Sequence, residues 1–540
     1  MGESDIKQKS INGLTEKERK LLAKEHALNA ELDAILAANH DNFPKAVYFI
    51  IPNEFCERFC FYGIKNLLNQ YLKSGFGLSK QLSKSYVHLF NGLVYGFPLV
   101  GAALSDSYLG KYHTIVYLSL VYLVGNALLS IFSINNLIAE YGSYPEWVAL
   151  FPLFLIAIGT GGIKPCVSSH GGDQFLPSQA PLVDRFFAIF YVSINVGALI
   201  AQYLTPFLKE GVECFGAHCY FLAFGVPTIL FGLALILFVA GFRTYRVVPP
   251  SEEFLPYKAA KTALVAGVRY LRATKEKRAS VRHWLYLAED LVGEEFVEET
   301  RLVGKIIVMF MPLIFFWVLY DQNGTEWQNQ YEMMNHKFLG LINIPTEASS
   351  NLNSVLVIIV VPLLSYVVYP LLEKKGLSMN LITRMTIGYL FVIAAFVTSI
   401  ILQYAVEANA STQVLEGNVA VSCSDCINGT WQLPQWILLS VGEALFAPTG
   451  VEFAYTQVGR QMKASAASLW LLGIGIGNYV VMGMEYSVGD LPGPTRQWIY
   501  TAISSFFLVV FIILSRFWFV SKEEEDERKH AFSLTESTIE

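Results

Sequence analysis

Hydrophobic residues along this chain gather into long runs divided by short polar connections, without a sustained two-residue alternation. A helix needs roughly 20 mostly apolar residues to cross a hydrocarbon layer. Twelve runs meet that need, at about 45–72, 84–105, 113–134, 147–166, 184–208, 219–241, 303–322, 350–372, 380–405, 432–456, 464–486 and 498–520. The cleanest, 219–242, has no charge until Arg243. The missing alternation argues against a membrane barrel. Backbone in lipid must satisfy its own hydrogen bonds, so each run is predicted to be a helix.

The runs divide into two sixes around a long polar connection. The pattern therefore predicts an all-α membrane protein of twelve helices in two six-helix bundles, at 44–242 and 303–521. A cytosolic tail with helical character, including Thr15-Glu16-Lys17-Glu18, covers 1–43, and an acidic tail covers 522–540. No cleaved secretory signal is evident in the first of these. The linker, 243–302, holds Arg243, Arg246, Lys258, Lys261, Arg269, Arg272, Lys275, Lys277, Arg278 and Arg282, and its stretch 257–272 reads as an amphipathic helix along the membrane face. Lys111, Arg185, Lys374, Lys375, Arg460 and Lys463 fall on the same side, so the positive-inside rule places linker and both termini in the cytosol.

Composition narrows the class. Charged residues make up 16% and hydrophobic ones 53%, whereas a soluble domain carries about 25% charged residues. A soluble enzyme and a disordered chain are excluded. The net charge of −6 gives no reason to expect a nucleic-acid partner. Seven cysteines in 540 residues make no disulfide scaffold. Cys214 and Cys219 share one outside loop and Cys423 and Cys426 another, where an oxidising compartment permits disulfides. The sequons at Asn409 and Asn428 lie on the same side. Cys56, Cys60 and Cys166 fall within spans and read as packing residues.

A charge at mid-membrane costs about 2.5–3.5 kcal/mol on insertion scales, so embedded charges are functional candidates. Span one carries Glu54, Glu57 and Arg58, which share one helical face. Span two carries His88, span four Lys164, span seven Asp321, and span ten Glu443 and Glu452. Arg58 suits a substrate carboxylate, because a guanidinium binds one bidentately and stays charged. His88 suits proton exchange near neutral pH. Each also has a structural reading: an ion cluster for span one, a core histidine for His88, a brace for Glu443. No nucleophile–base pair, phosphate loop or metal-ligand spacing appears, so the chain does not read as an enzyme.

The segment Asn53-Glu54-Phe55-Cys56-Glu57-Arg58-Phe59-Cys60-Phe61-Tyr62-Gly63 resembles the ExxERFxxYG signature of the proton-coupled oligopeptide transporters, a family of the major facilitator superfamily. Segments 101–111, 186–197, 316–322 and 450–455 resemble further family motifs in the same order, and the likeness is strongest to the animal di- and tripeptide carriers. The resemblance implies symport of di- and tripeptides with protons, and no cofactor beyond the coupling proton. By the same resemblance, Arg58 and Lys164 would take the peptide carboxylate, and Glu452 with Asn353 its ammonium. Tyr62 and Tyr191 would bond to substrate, and Trp317 and Trp470 would wall the side-chain pockets. His88, Tyr95, Glu54 and Glu57 would move protons, and Lys305 and Asp321 would gate. A plasma-membrane location is expected ahead of an endolysosomal one, and oligomeric state is left open. Two departures stand out. The large domain that animal plasma-membrane members carry between spans nine and ten is missing, and Phe61 stands where the motif often has Tyr. A carrier of nitrate or histidine on the same fold, and a non-transporting receptor or scaffold, remain as alternatives.

Overall fold

A computed structural model describes residues 42–134, 147–176, 179–214, 217–248, 250, 255–338, 341–377, 379–410, 426–458 and 462–520. The tail motif at 15–18, the acidic tail, Arg460 and Cys423 lie outside these residues.

The spans are helices. In the first half they run over Val47–Gln70, Lys80–Gly96 continued by Pro98–Leu104, Gly110–Phe132, Trp147–Gly172, Ala180–Gly211 and Tyr220–Ala240. In the second they run over Glu294–Tyr320 continued by Glu326–Glu332, Asn351–Leu363 continued by Tyr369–Lys374, Leu381–Ala410, Leu433–Thr456, Lys463–Val488 and Gly493–Phe517. Ten stretches among the described residues are long and apolar enough to cross a membrane, one of them (Lys80–Phe132) passing through both the second and third spans. The first span is not among them, because Glu54, Glu57 and Arg58 crowd one window of it. Its packing supplies what its composition lacks: Glu54, Glu57 and Arg58 are all buried between neighbouring helices.

Packing repeats with a shift of six spans. The first span packs on the fifth and sixth, and the seventh on the eleventh and twelfth. The third packs on the fourth and sixth, and the ninth on the tenth and twelfth. The second meets the fourth as the eighth meets the tenth. The main seams between halves, second with eleventh and fifth with eighth, are images of each other under the same shift. Lipid provides little hydrophobic drive between helices, so close backbone approach does the holding. A Cβ on Gly101 would lie 1.9 Å from the Gly162 carbonyl oxygen, and one on Gly442 would lie 2.7 Å from that of Gly388. These glycines set the second–fourth and ninth–tenth contacts.

The seventh helix begins at Glu294, earlier than its apolar run, because its first turns are polar and carry the linker. The linker helix Leu255–Arg272 packs there through Ala259, Thr262 and Ala266, against a short helical segment, Trp284–Ala288, and the start of span seven. Arg269 reaches Asp290 with both terminal nitrogens. On the opposite side of the molecule, Glu213–Cys214 and Ala217–His218 form a hairpin closed by a Cys214–Cys219 disulfide. Cys426 is also disulfide-bonded.

Candidate binding cavity

Ion pairs tie the two halves together at one end, the outer side on the expected topology. Lys73 of the first half pairs with Glu332 of the second, and Lys209 with Glu347. Deeper in, buried Lys84 of span two pairs with Glu326 and lies 3.3 Å from Glu485. Arg496 holds Glu326 from the other side at 2.8 and 2.9 Å, and the Tyr500 hydroxyl donates to Glu485 at 2.9 Å. Two cations and two carboxylates thus neutralise each other out of water, with each carboxylate hydrogen-bonded. Such pairing is required before charges can be buried at tolerable cost. At the other end the Glu452 side chain is 54% exposed, and Tyr191, between the ends, is 64% exposed. The halves are closed at the outer end and parted at the inner one.

Between the ends lies a cavity of about 320 Å³, within the range of small-molecule sites. The first half lines it with Tyr62, Lys65 and Asn66 from span one, Asn91 from span two, and Tyr191, Asn195 and Gln202 from span five. The second half contributes Tyr320, Asp321, Asn353, Ser354 and Glu443. The opposed walls differ in charge. Lys65 faces in from the first half, and Glu443 and Asp321 from the second.

Glu443, Arg58 and Lys164 are each positioned by their own half. Asn353 donates to Glu443 Oε2 at 2.7 Å, and the Ser440 hydroxyl donates to Asn353 Oδ1 at 2.7 Å, which fixes the amide with its N–H toward the carboxylate. The Tyr320 hydroxyl lies 3.2 Å from the same amide nitrogen. One turn below Tyr62, Arg58 is held by Glu54 at 2.9 Å and Glu57 at 2.6 Å, and Thr160 donates to Glu57 at 2.6 Å. The Lys164 ammonium stands 4.2 Å from the Tyr95 ring centre and 4.7 Å from that of Phe61, so aromatic faces hold it in place of a carboxylate.

One chain of hydrogen bonds crosses between halves here. The amide nitrogen of Asn478 donates to Asp321 at 2.6 Å, which leaves its oxygen to accept from His88 Nδ1 at 2.8 Å. His88 Nε2 is then the nitrogen free to gain or lose a proton, 3.3 Å from the Thr325 hydroxyl. A buried imidazole linked through an amide to a carboxylate can pass charge between helices of different halves.

A family model described as POT family matches residues 112–499, most of the chain. The chain belongs to the POT family. Solute carrier family 15 member 1 of Mus musculus is 40% identical over 376 residues, 68% of this chain and 52% of that protein. Peptide transporter family 1 of Drosophila melanogaster is 40% identical over 378 residues, 68% of this chain and 49% of its own length. The chain spans about half the length of the curated relatives it matches. The in meso crystal structure of the POT family transporter PepTSo aligns with a TM-score of 0.73 at 28% identity, covering 88% of this chain and 98% of that one. An auto-inhibited POT family peptide transporter aligns at 0.72 and 26% identity, covering 89% and 98%.

Within this POT-family fold, five of the residues singled out from the sequence, Tyr62, Tyr191, Asp321, Asn353 and Glu443, line the cavity together. Arg58, Glu54 and Glu57 form one cluster beneath it, with Lys164 and Tyr95 in contact beside them. Trp317 and Trp470 do not wall the cavity. They meet edge to face at 5.9 Å in the core of the second half, both buried. Lys305 donates to the Val520 carbonyl at 3.1 Å, at the end of the molecule opposite the ion-pair closure.

Glu452 is a correction. Its carboxylate is half exposed, 3.9 Å from Arg384, and does not line the cavity. The reason is helical geometry. Glu443 and Glu452 are nine residues apart on one helix, two and a half turns, and so point to opposite faces. Asn353, expected beside Glu452, is beside Glu443. The sequence reading held Glu443 as an embedded-charge candidate with bracing as the alternative, assigned it no ligand, and passed over Lys65, although Lys65 lies seven residues after Arg58 on the same face. Asn478 carried no charge to mark it. Among the described residues no group of three or more His, Cys, Asp or Glu could hold a metal ion.

Proposed function

We propose that this chain is a proton-coupled symporter of di- and tripeptides that works by alternating access. The single observation that carries the proposal is the cavity with a basic wall on one half and the Glu443–Asn353 acid site on the other. A short peptide is a zwitterion, so it would bridge the halves through its two ends. Glu443, turned toward the cavity by Asn353, takes the ammonium. Lys65 and Tyr62 meet the peptide from the first half, with Arg58 and Lys164 as the carboxylate's further partners once Arg58 is released. Backbone-end contacts of this kind are common to all short peptides, and a free amino acid is too short to make both.

Proton coupling follows from who holds Arg58. Protonating Glu54 or Glu57 removes one of the guanidinium's two anchors and frees it for a carboxylate ligand. Deprotonation lets the glutamate recapture it and weakens the peptide's hold. His88 gains a proton at Nε2 and, through Asn478, biases Asp321 on the facing half, so protonation there alters the strength of the seam itself. Closure over the ligand follows because the bridged state binds it better. The membrane potential contributes about 2.3 kcal/mol per charge per 100 mV. Lys305, near the inner end, acts as a gating charge in this scheme.

On this reading the protein sits in the plasma membrane with both termini cytosolic, catalyses no reaction and needs no cofactor besides the proton. Asn409 and Asn428 are glycan acceptors on the outer side. Voltage-clamp currents across di-, tri- and tetrapeptides, amino acids, histidine and nitrate at two external pH values test it. Inward currents for di- and tripeptides that grow as the outside is acidified are expected; currents for nitrate or histidine alone would overturn it.

A further inference from the structure

The linker helix Leu255–Arg272 has two apolar faces. Ala259, Thr262 and Ala266 make the buried one. The other is unpartnered: Tyr257 is 66% exposed, Leu264 70%, Val268 40% and Leu271 76%. These four recur at spacings of seven, four and three residues, which is one continuous stripe on a helix. It lies opposite the buried face, so folding of the linker against span seven cannot cover it. Lys261 and Arg272, both exposed, border one edge of the stripe, and beyond the helix end Lys275 and Lys277 stand exposed with Glu276 between them. No acidic residue occurs between Leu255 and Arg272.

Position adds a second observation. Ala259 belongs to the same core as Phe296 and Leu302, and the Lys258 ammonium lies 4.9 Å from the Phe296 ring centre. The helix is thereby seated against span seven just before its apolar run begins, which on the proposed topology borders the cytosolic leaflet. An apolar stripe bordered by bases, on a helix that itself carries no acid, matches the interfacial helices that lie in anionic leaflets.

We infer that this stripe docks on the anionic cytosolic leaflet, with Leu264, Val268 and Leu271 among the acyl chains and Lys261 and Arg272 on acidic headgroups. The surface rests on the topology proposed above, though not on the substrate. Because the linker packs on span seven, docking ties the second half's inner end to the charge of the leaflet.

The test uses the full chain with Leu264→Cys, and separately Tyr257→Cys, carrying a polarity-sensitive fluorophore. Each is placed in nanodiscs of phosphatidylcholine alone or with about a third phosphatidylserine. Iodide should quench the label several-fold less in the anionic discs, and acyl-brominated lipid should quench it more. Lys261→Glu with Arg272→Glu should undo this protection, each base being worth roughly fivefold in partition. Equal iodide quenching in both discs, whether strong or weak, overturns headgroup recognition. Protection that instead rises with protein concentration in detergent overturns it in favour of a second copy. No uptake is measured, so this outcome is independent of whether peptides are carried.

Discussion

The charges at the outer end and those at the centre are solved in opposite ways. At the outer end cations of one half meet carboxylates of the other: Lys84 with Glu326 and Glu485, Lys209 with Glu347, Lys73 with Glu332. Around the cavity Arg58 and Glu443 are satisfied within their own halves, Arg58 by Glu54 and Glu57, Glu443 by Asn353. The first arrangement stabilises one conformation, because parting the halves strips the partners. The second is indifferent to parting, and its groups stay oriented for a ligand in either state. On the proposed function, the molecule thus separates the charges that hold a state from those that would read a substrate.

The strongest way to break that separation is Lys84→Met. It leaves three charges, with net −1, buried at the seam, and losing one partner of a buried pair costs about 3–5 kcal/mol. The outer end should open: a cysteine at Asn69, 2% exposed and facing Gln328 across the seam, should become reactive to an impermeant thiol reagent added outside. Lys84→Met with Glu485→Gln restores neutrality and should recover most of the closure. If Lys84→Met leaves that cysteine silent, the clamp does not hold the state.

Next in size is Asn353→Ala. A hydrogen bond to a charged group contributes about 1.5–3 kcal/mol, so the peptide concentration for half-maximal current should rise by at least roughly tenfold. Accessibility of the Asn69→Cys probe should not change, since Asn353 bonds within its own half. A shift in that probe would merge the two classes of charge.

The smallest effect is expected at Lys73→Gln. This pair belongs to the clamp but is partly exposed, its side chains 18% and 33% accessible. Solvent-screened pairs contribute about 0–1 kcal/mol, so the seam should loosen only slightly. An effect as large as that of Lys84→Met would mean that burial is not what gives the clamp its strength.

Sequence alone carried the fold far. Twelve apolar runs and a basic linker gave two bundles, and the helices begin and end within a few residues of most predicted limits. The seventh span strays furthest, since Glu294–Leu302 is a polar extension that hydropathy cannot see and Glu326–Glu332 is a second helix after a short turn. The site was legible where charges are adjacent: the spacing of Glu54, Glu57 and Arg58 is enough to join them. It was less legible where residues meet from distant helices. Glu443 and Glu452 look alike in a linear search, and only the phase of their helix separates them. Asn478, an uncharged amide, becomes meaningful only once His88 and Asp321 are seen on either side. Lys84, Glu326 and Glu485 form a set that no local window contains.

The central claim is that Glu443, not Glu452, grips the ammonium of a peptide whose other end is held by the first half. Proton-driven uptake of a dipeptide and of its N-acetylated form should be compared in the wild type, Glu443→Gln and Glu452→Gln. Removing the carboxylate from a close charge pair costs about 2–5 kcal/mol, so Glu443→Gln should lose at least roughly 30-fold in dipeptide uptake and most of its preference over the acetylated peptide. Glu452→Gln should keep both. Retention of the preference by Glu443→Gln, or its loss in Glu452→Gln, would contradict the account.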